Sequence, residues 1–207
     1  MRYEDTEKQL EIKAIPTYYK GIRFRSRLEA AWARFFDLLV WRWDYEPFDL
    51  PGWTPDFVIA ENSTILVEVK PVYDLPLQVT RVMERAVAKS PYRSAELLVV
   101  GTGPWWDGDE RVAYLGWLGE CGGESFLDES TSHCFDRAPM GVWDGGAEVR
   151  NKKIGFCHET GSYRDRITGI HDGGCYGEGW FVPQDLLRLW AIAKNGCQFR
   201  GEENSKN

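Results

Sequence analysis

Three charged residues stand where strand geometry brings chemistry together: Asp56, directly after Pro55, and the pair Glu68 and Lys70 in Glu68-Val69-Lys70. Side chains two apart on a strand share a face, so Glu68 and Lys70 point the same way. Where Asp56 points depends on the loop between the two strands. A two-residue loop at Asn62-Ser63 sets Asp56 opposite Val69, on the wrong face. A three-residue loop, Glu61-Asn62-Ser63, sets it opposite Glu68, with Cβ atoms about 4.5–5.5 Å apart. The longer loop also sorts the apolar residues. Phe57, Ile59, Ile65 and Val67 fall on one face, and Val58 and Leu66 lie behind the charged end of the other. A central hairpin covered on both sides needs that division, so the three-residue loop is the expected register.

Two carboxylates held this close on an apolar hairpin repel each other and lose solvation, and a divalent cation offsets both costs. Hard oxygen ligands suit Mg²⁺, with Mn²⁺ able to substitute. Lys70, beside the ion, could stabilise developing negative charge or help position and deprotonate a water. That is the equipment for hydrolysing a phosphodiester. The bland alternative is an exposed strand end where Glu68 and Lys70 form a surface ion pair worth about 0–1 kcal/mol. Flanks this apolar argue against it.

The elements that must position these residues follow from periodicity. Ser26-Arg27-Leu28-Glu29 has the form of a capping box. Leu28, Trp32, Phe35, Phe36 and Leu39 then recur at helical spacing, giving a helix over 26–39. Strands are expected over 41–46, 55–60 and 64–70, a helix over 77–89 and a buried strand over 97–100. The order is α-β-β-β-α-β: an antiparallel meander, then a helical crossover to a last strand. Beyond residue 103 the pattern gives strands over 112–119 and 154–158, a helix over 184–193, a short strand over 197–200 and a polar tail.

Pro55-Asp56 followed by Glu68-Val69-Lys70 within this order resembles the PD-(D/E)XK nuclease superfamily. The stretch Tyr19-Lys20-Gly21-Ile22-Arg23-Phe24-Arg25-Ser26-Arg27-Leu28-Glu29-Ala30-Ala31-Trp32-Ala33 is similar to the helix start of small phage- and prophage-encoded members. The likeness covers about residues 17–71, with a fainter echo in Ala193-Lys194-Asn195-Gly196-Cys197-Gln198-Phe199. It implies an α/β, restriction-endonuclease-like core, a mixed central sheet flanked by helices, over residues 1–102. Residues 103–207 are then a Gly-rich, mostly β appendage with a C-terminal helix. It also implies that Asp56 and Glu68 bind the metal and that Lys70 assists catalysis. A Glu on the first helix often completes the site, a role that falls on Glu29. The capping box explains Glu29 equally well, as a residue bonding back to the Ser26 amide.

Composition sets the remaining bounds. The chain has 207 residues, with 25 Lys and Arg against 32 Asp and Glu, a formal net charge of −7. A generic nucleic-acid binder is usually basic, so any contact with DNA must be a local patch. Lys20, Arg23, Arg25, Arg27 and Arg34 supply one, and Lys13, Arg42, Arg81 and Arg85 could extend it; Gln78 is a polar neighbour. No apolar run is long enough for a membrane span, the N-terminus is too polar for a secretory signal, and an odd cysteine count suits a reducing, cytoplasmic setting. Only Gly21 and Gly52 of 21 glycines precede residue 100, while every Cys and His lies beyond residue 120. Cys157, His158, His171 and Cys175, with Cys121, His133 and Cys134, are candidate zinc ligands. The close pairs of structural zinc sites, such as C-x-x-C, are missing, and zinc is not expected. Trp41, Trp43, Trp105, Trp106, Trp117 and Trp143 read as packing rather than as base-stacking platforms.

The expected function is thus a Mg²⁺-dependent DNA endonuclease. The rivals are a non-catalytic nucleic-acid-binding module that keeps the fold, which intact Asp56, Glu68 and Lys70 speak against, and an interaction protein built on the Gly-rich half. The sequence does not carry the oligomeric state; cutting both strands with one site per chain would favour a homodimer.

Overall fold

The computed structural model describes residues 14–108, 112–120, 135–142, 153–160, 164–170 and 183–197. Within them the chain is α/β, and eight strands form one mixed sheet. The chain opens on a small hairpin, β1 (Thr17–Tyr19) and β2 (Ile22–Phe24), and enters α1 (Arg27–Leu38). Then come β3 (Trp43–Tyr45), β4 (Phe57–Ala60), β5 (Thr64–Val69), α2 (Leu77–Ala88) and β6 (Glu96–Val100). This is the expected α-β-β-β-α-β order. Strands β3, β4 and β5 pair antiparallel, and β6 lies parallel to β5 after the α2 crossover.

The same sheet continues past β6. β8 (Val112–Gly119) pairs antiparallel with β6, β9 (Phe135–Val142) with β8, and β10 (Ile154–Phe156) with β9, while β7 (Trp105–Asp107) pairs with β8 off the main path. The boundary at residue 102 therefore falls between strands hydrogen-bonded in one sheet. α3 (Pro183–Gly196) begins with Pro at its first position, where the missing N–H costs nothing, and packs against α1.

Each face of the sheet has its own core. Trp32, Phe35 and Phe36 of α1 and Leu186 and Trp190 of α3 bury Phe57, Ile59, Ile65 and Val67. Met83, Ala86 and Val87 of α2 bury Val58, Leu66, Leu97 and Val99 on the other. That partition is the one the three-residue loop requires, and the register is Phe57↔Val67, Val58↔Leu66 and Ile59↔Ile65. α1 starts as expected, with Ser26 accepting from the Glu29 amide. It ends with Val40 in the left-handed region at φ 59, its amide bonded to the Asp37 carbonyl.

Several expectations need correction. The sequence pattern gives no strands over the β1–β2 hairpin. Lys20 and Gly21 make its turn at φ 50 and 80, a two-residue loop suited to the strand twist but without an Asn-Gly or Asp-Gly signal. β3 is three residues rather than 41–46, because Trp41 leaves the sheet to pack on Phe36 and donate from Nε1 to the Ile154 carbonyl at 2.8 Å. β7 and β9 were also missed. Asp-Arg-Ala-Pro inside β9 hides its alternation, and Pro139 reads as a breaker. Cys197 closes α3 as a turn rather than opening a strand, and residues 198–207 lie outside the described residues.

Candidate active site

The β4–β5 hairpin carries Asp56 and Glu68 to one end of the sheet. Continuing the observed register one step beyond Phe57↔Val67 sets Asp56 across from Glu68, and both are buried, at 3% and 6% exposure. Asp56 is fixed by the backbone: its Oδ2 accepts from the Val69 amide at 2.7 Å. Glu68 is fixed by Trp53, whose Nε1 donates to Oε2 at 2.7 Å, and Lys70 Nζ lies 2.6 Å from Oε1. Lys70 is 39% exposed and faces the open side of the cluster.

The remaining acids come from α1 and the segment after β3. Glu29 is buried, but not in the capping box form expected. Its Oε1 accepts from the Ser26 hydroxyl at 2.7 Å, and its Oε2 accepts from Tyr45 Oη at 2.6 Å and from the Arg25 amide, one residue before the cap. Arg25 ties the two groups together. Its Nη2 donates to Asp56 Oδ1, and its Nε lies 2.8 Å from Glu46 Oε1 and 3.9 Å from Glu29 Oε2. Burial, with the nearby Glu68 charge, pushes the Asp56 carboxyl up to about 7, against the opposing pull of the Val69 amide and Arg25. Three buried carboxyl groups and the half-buried Glu46 thus share two cations on long, partly exposed side chains.

A divalent cation would meet hard oxygen donors here, and it would offset both causes of the Asp56 shift, burial of the carboxyl first and the Glu68 charge second. Asp56 and Glu68 are the donors placed to take it. Both Glu29 oxygens are already engaged, which sets it behind the pair. Among the described residues no group of three or more His, Cys, Asp or Glu side chains is already arranged around a metal-sized site. In the resting contacts Arg25 bridges Asp56, Glu46 and Glu29, and Lys70 pairs with Glu68.

The expected basic patch is only partly assembled. Arg25 joins the carboxylates, and Arg23 and Arg27 are exposed nearby in sequence. Lys20 instead pairs with Asp37 at 2.9 Å, at the far end of α1. Arg34 lies along α3, close enough that any side chain at Gly196 would collide with its guanidinium. Arg42 pairs with Glu61; Arg81, Arg85 and Gln78 are exposed on α2; Lys13 lies outside the described residues. Of the zinc candidates, Cys157 and His158 are buried, while Cys121, His133, Cys134, His171 and Cys175 lie outside the described residues. Trp143 does too, and Trp41 and Trp43 are packed, Trp43 donating to Asp37 at 3.2 Å.

Sequence reading missed Trp53 and Tyr45 as partners of the acids. The signal for Trp53 was weak: a Trp beside Gly in a short isolated bridge, Leu50↔Trp53, outside any periodic element. Tyr45 was legible as a strand residue, but its reach to Glu29 depends on how α1 crosses the sheet.

No helix among the described residues is long and apolar enough to cross a membrane. Comparison with family models, curated proteins and solved structures finds no match to this chain.

Proposed function

We propose that the chain is a metal-dependent deoxyribonuclease of the PD-(D/E)XK kind, hydrolysing phosphodiester bonds with Mg²⁺ or Mn²⁺. The observation that carries the reading is the convergence of buried Asp56 and Glu68, from neighbouring antiparallel strands, with Lys70 Nζ 2.6 Å from Glu68 at the open side. Asp56 and Glu68 would hold the divalent ion, which would supply Lewis acidity toward the phosphate and the attacking water. The chain's own residues do the rest. The Val69 amide and the Trp53 indole hold the two acids in place, so little reorganisation is left to the moment of reaction. Lys70 presents its ammonium where charge develops on the phosphate and where a water is held for attack. Glu29 orients the Arg25 backbone and Tyr45 from behind. Arg25, which already reaches the site acids, is the cation placed to contact the phosphate backbone.

The test is cleavage of plasmid, linear, branched and single-stranded DNA by the parent, Asp56→Ala and Lys70→Ala in Mg²⁺ or Mn²⁺ at matched salt. The reading expects products from the parent, loss of at least a hundredfold in each variant, and none with EDTA. Variants as fast as the parent would refute it. DNA binding that survives chelation, with no products under any divalent ion, would make the chain a binding module instead.

A further inference from the structure

A cavity of about 340 Å³ opens beside this site, in the range of small-ligand pockets. Its walls are Trp105, Trp117 and Trp190, its rim carries Lys194 and Tyr73, and Gly103 lines one side. The glycine matters, because a Cβ there would collide with the Trp190 indole; the backbone approaches the ring more closely than any other residue allows.

The cavity is tied to Lys70 by main chain. The Lys70 amide donates to the Val100 carbonyl at 3.0 Å, the Val72 amide to the Lys70 carbonyl at 2.8 Å, and the Thr102 amide to the Val72 carbonyl at 3.2 Å. Val72 and Thr102 both line it. The pocket therefore begins two residues past Lys70 and keeps a fixed relation to its main chain. Its aromatic walls are held too: Trp105 lies 5.0 Å from Trp117 and is stacked at 5.5 Å on Tyr114, over which Arg137 sits at 4.5 Å. Tyr73, by contrast, is 82% exposed at the mouth.

Flat aromatic walls, an exposed aromatic platform and a lysine at the rim are the chemistry that takes a nucleobase with its phosphate. A base paired inside a duplex cannot enter, since both its faces and its pairing edge are occupied. We infer that this cavity receives one unpaired base of the strand running past Lys70. The substrate class is then DNA with a single-stranded segment at the cleavage point, a single strand, flap or branch rather than continuous duplex. The path of the strand past Lys70 and the position of the cut rest on the nuclease reading; the capture of an unpaired base does not.

Binding and cleavage separate the two ideas. Quenching of tryptophan fluorescence is titrated in EDTA with a thymidine oligonucleotide, with an otherwise identical strand holding abasic sites, and with a blunt duplex of equal length. The full-length parent and Asp56→Asn should bind the thymidine strand at least tenfold more tightly than the duplex or the abasic strand. Tyr73→Ala and Lys194→Ala alter exposed side chains, so folding is not at issue. Tyr73→Ala should weaken thymidine binding by about 5- to 150-fold, the range for one lost base stack, and Lys194→Ala should weaken it more at low salt than at high. Equal affinity for strand and duplex, indifference to the abasic strand, or unchanged binding by Tyr73→Ala would overturn the inference. If these binding differences appear but the parent cleaves nothing in Mg²⁺ or Mn²⁺, the pocket stands and the nuclease reading falls. If the parent cleaves through Asp56 and Lys70 while Tyr73→Ala handles single strands and duplex alike the parent, the nuclease stands and the pocket falls.

Discussion

Replacing Asp56 by Asn should stabilise the folded chain at pH 8, although it removes a residue assigned to the chemistry. The carboxyl is moved by burial and by Glu68 from 3.8 to about 7. Between those values the native state holds a proton that the unfolded chain has released, so stability falls as pH rises, at about 1.4 kcal/mol per pH unit. Well below pH 3.8 both states are protonated and nothing is lost; above pH 7 the loss is complete, on the order of 4 kcal/mol. Asn escapes that loss. It keeps the Val69 amide as a donor but gives up the ion pair with Arg25, worth about 1 kcal/mol because that guanidinium is more than half exposed. The net expectation is a gain of about 1–3 kcal/mol at pH 8, a melting temperature higher by roughly 2–12 °C. Since most of the loss accrues between pH 5 and 7, the gain should nearly vanish at pH 5. Calorimetric melts of both proteins in EDTA at the two pH values read this directly. Mg²⁺ supplies a second arm: at ten times its dissociation constant it should stabilise the parent by about 1.4 kcal/mol and leave Asp56→Asn unmoved. An Asn variant that melts below the parent at pH 8, or by the same margin at both pH values, would refute the account of Asp56 as an electrostatically crowded acid.

The other expectations use the same melts. Arg25→Ala removes the cation on Asp56 and should cost about 1 kcal/mol at pH 8 given its exposure, with Mg²⁺ restoring more than it adds to the parent; equal Mg²⁺ responses would count against a shared cation seat. Val40→Gly should stabilise by about 1 kcal/mol, because a β-branched residue holds φ 59 after α1 where Gly carries no strain; a loss would mean that exposed Val40 makes contacts worth more than its strain. Arg166→Met should cost about 3–5 kcal/mol, since Arg166 is fully buried between Glu96 at 2.8 Å and Glu120 at 3.0 Å and its loss strands a buried acid. Adding Glu96→Gln should recover part of that cost, and no recovery would place the cost in packing.

What could be read from the chain divides along a physical line. The hairpin register followed from local facts, a loop length and the parity of Phe57, Ile59, Ile65 and Val67, because a slip of one residue would turn every apolar side chain outward. α1 was legible from its cap and apolar stripe for a similar reason. What escaped was non-local. Arg25 reads as one more basic residue in a run of them; only the placement of α1 against β3 and β4 turns it onto Asp56. Arg34 lies in the same run and ends on Gly196, which no spacing rule links to it. Trp105 and Trp117 pack, as their sequence context leads one to expect, and the same rings also wall a cavity beside the β7–β8 pair, which no spacing rule shows. A periodicity argument sees one element at a time, and a pocket is made by several.

The acids and the cations of the site are held differently, and the difference has a consequence. Asp56 and Glu68 are buried and bonded to rigid partners, a strand amide and a packed indole. Arg25 and Lys70 reach them along flexible stems from the solvent side, 56% and 39% exposed. Removing either acid changes a fixed part of the fold, whereas either cation can withdraw by rotating its side chain. The resting contacts therefore neutralise the pocket without closing it. If a metal ion takes over the neutralising, Arg25 and Lys70 are released together, at the mouth, with their charges free for a phosphate. On the proposed reading this couples ion and substrate: DNA should bind more tightly to the parent in Ca²⁺ than in EDTA, and Asp56→Asn, whose resting pocket no longer holds Arg25 by charge, should lose most of that difference. Equal DNA affinity in Ca²⁺ and EDTA for the parent, measured by fluorescence anisotropy, would break the coupling.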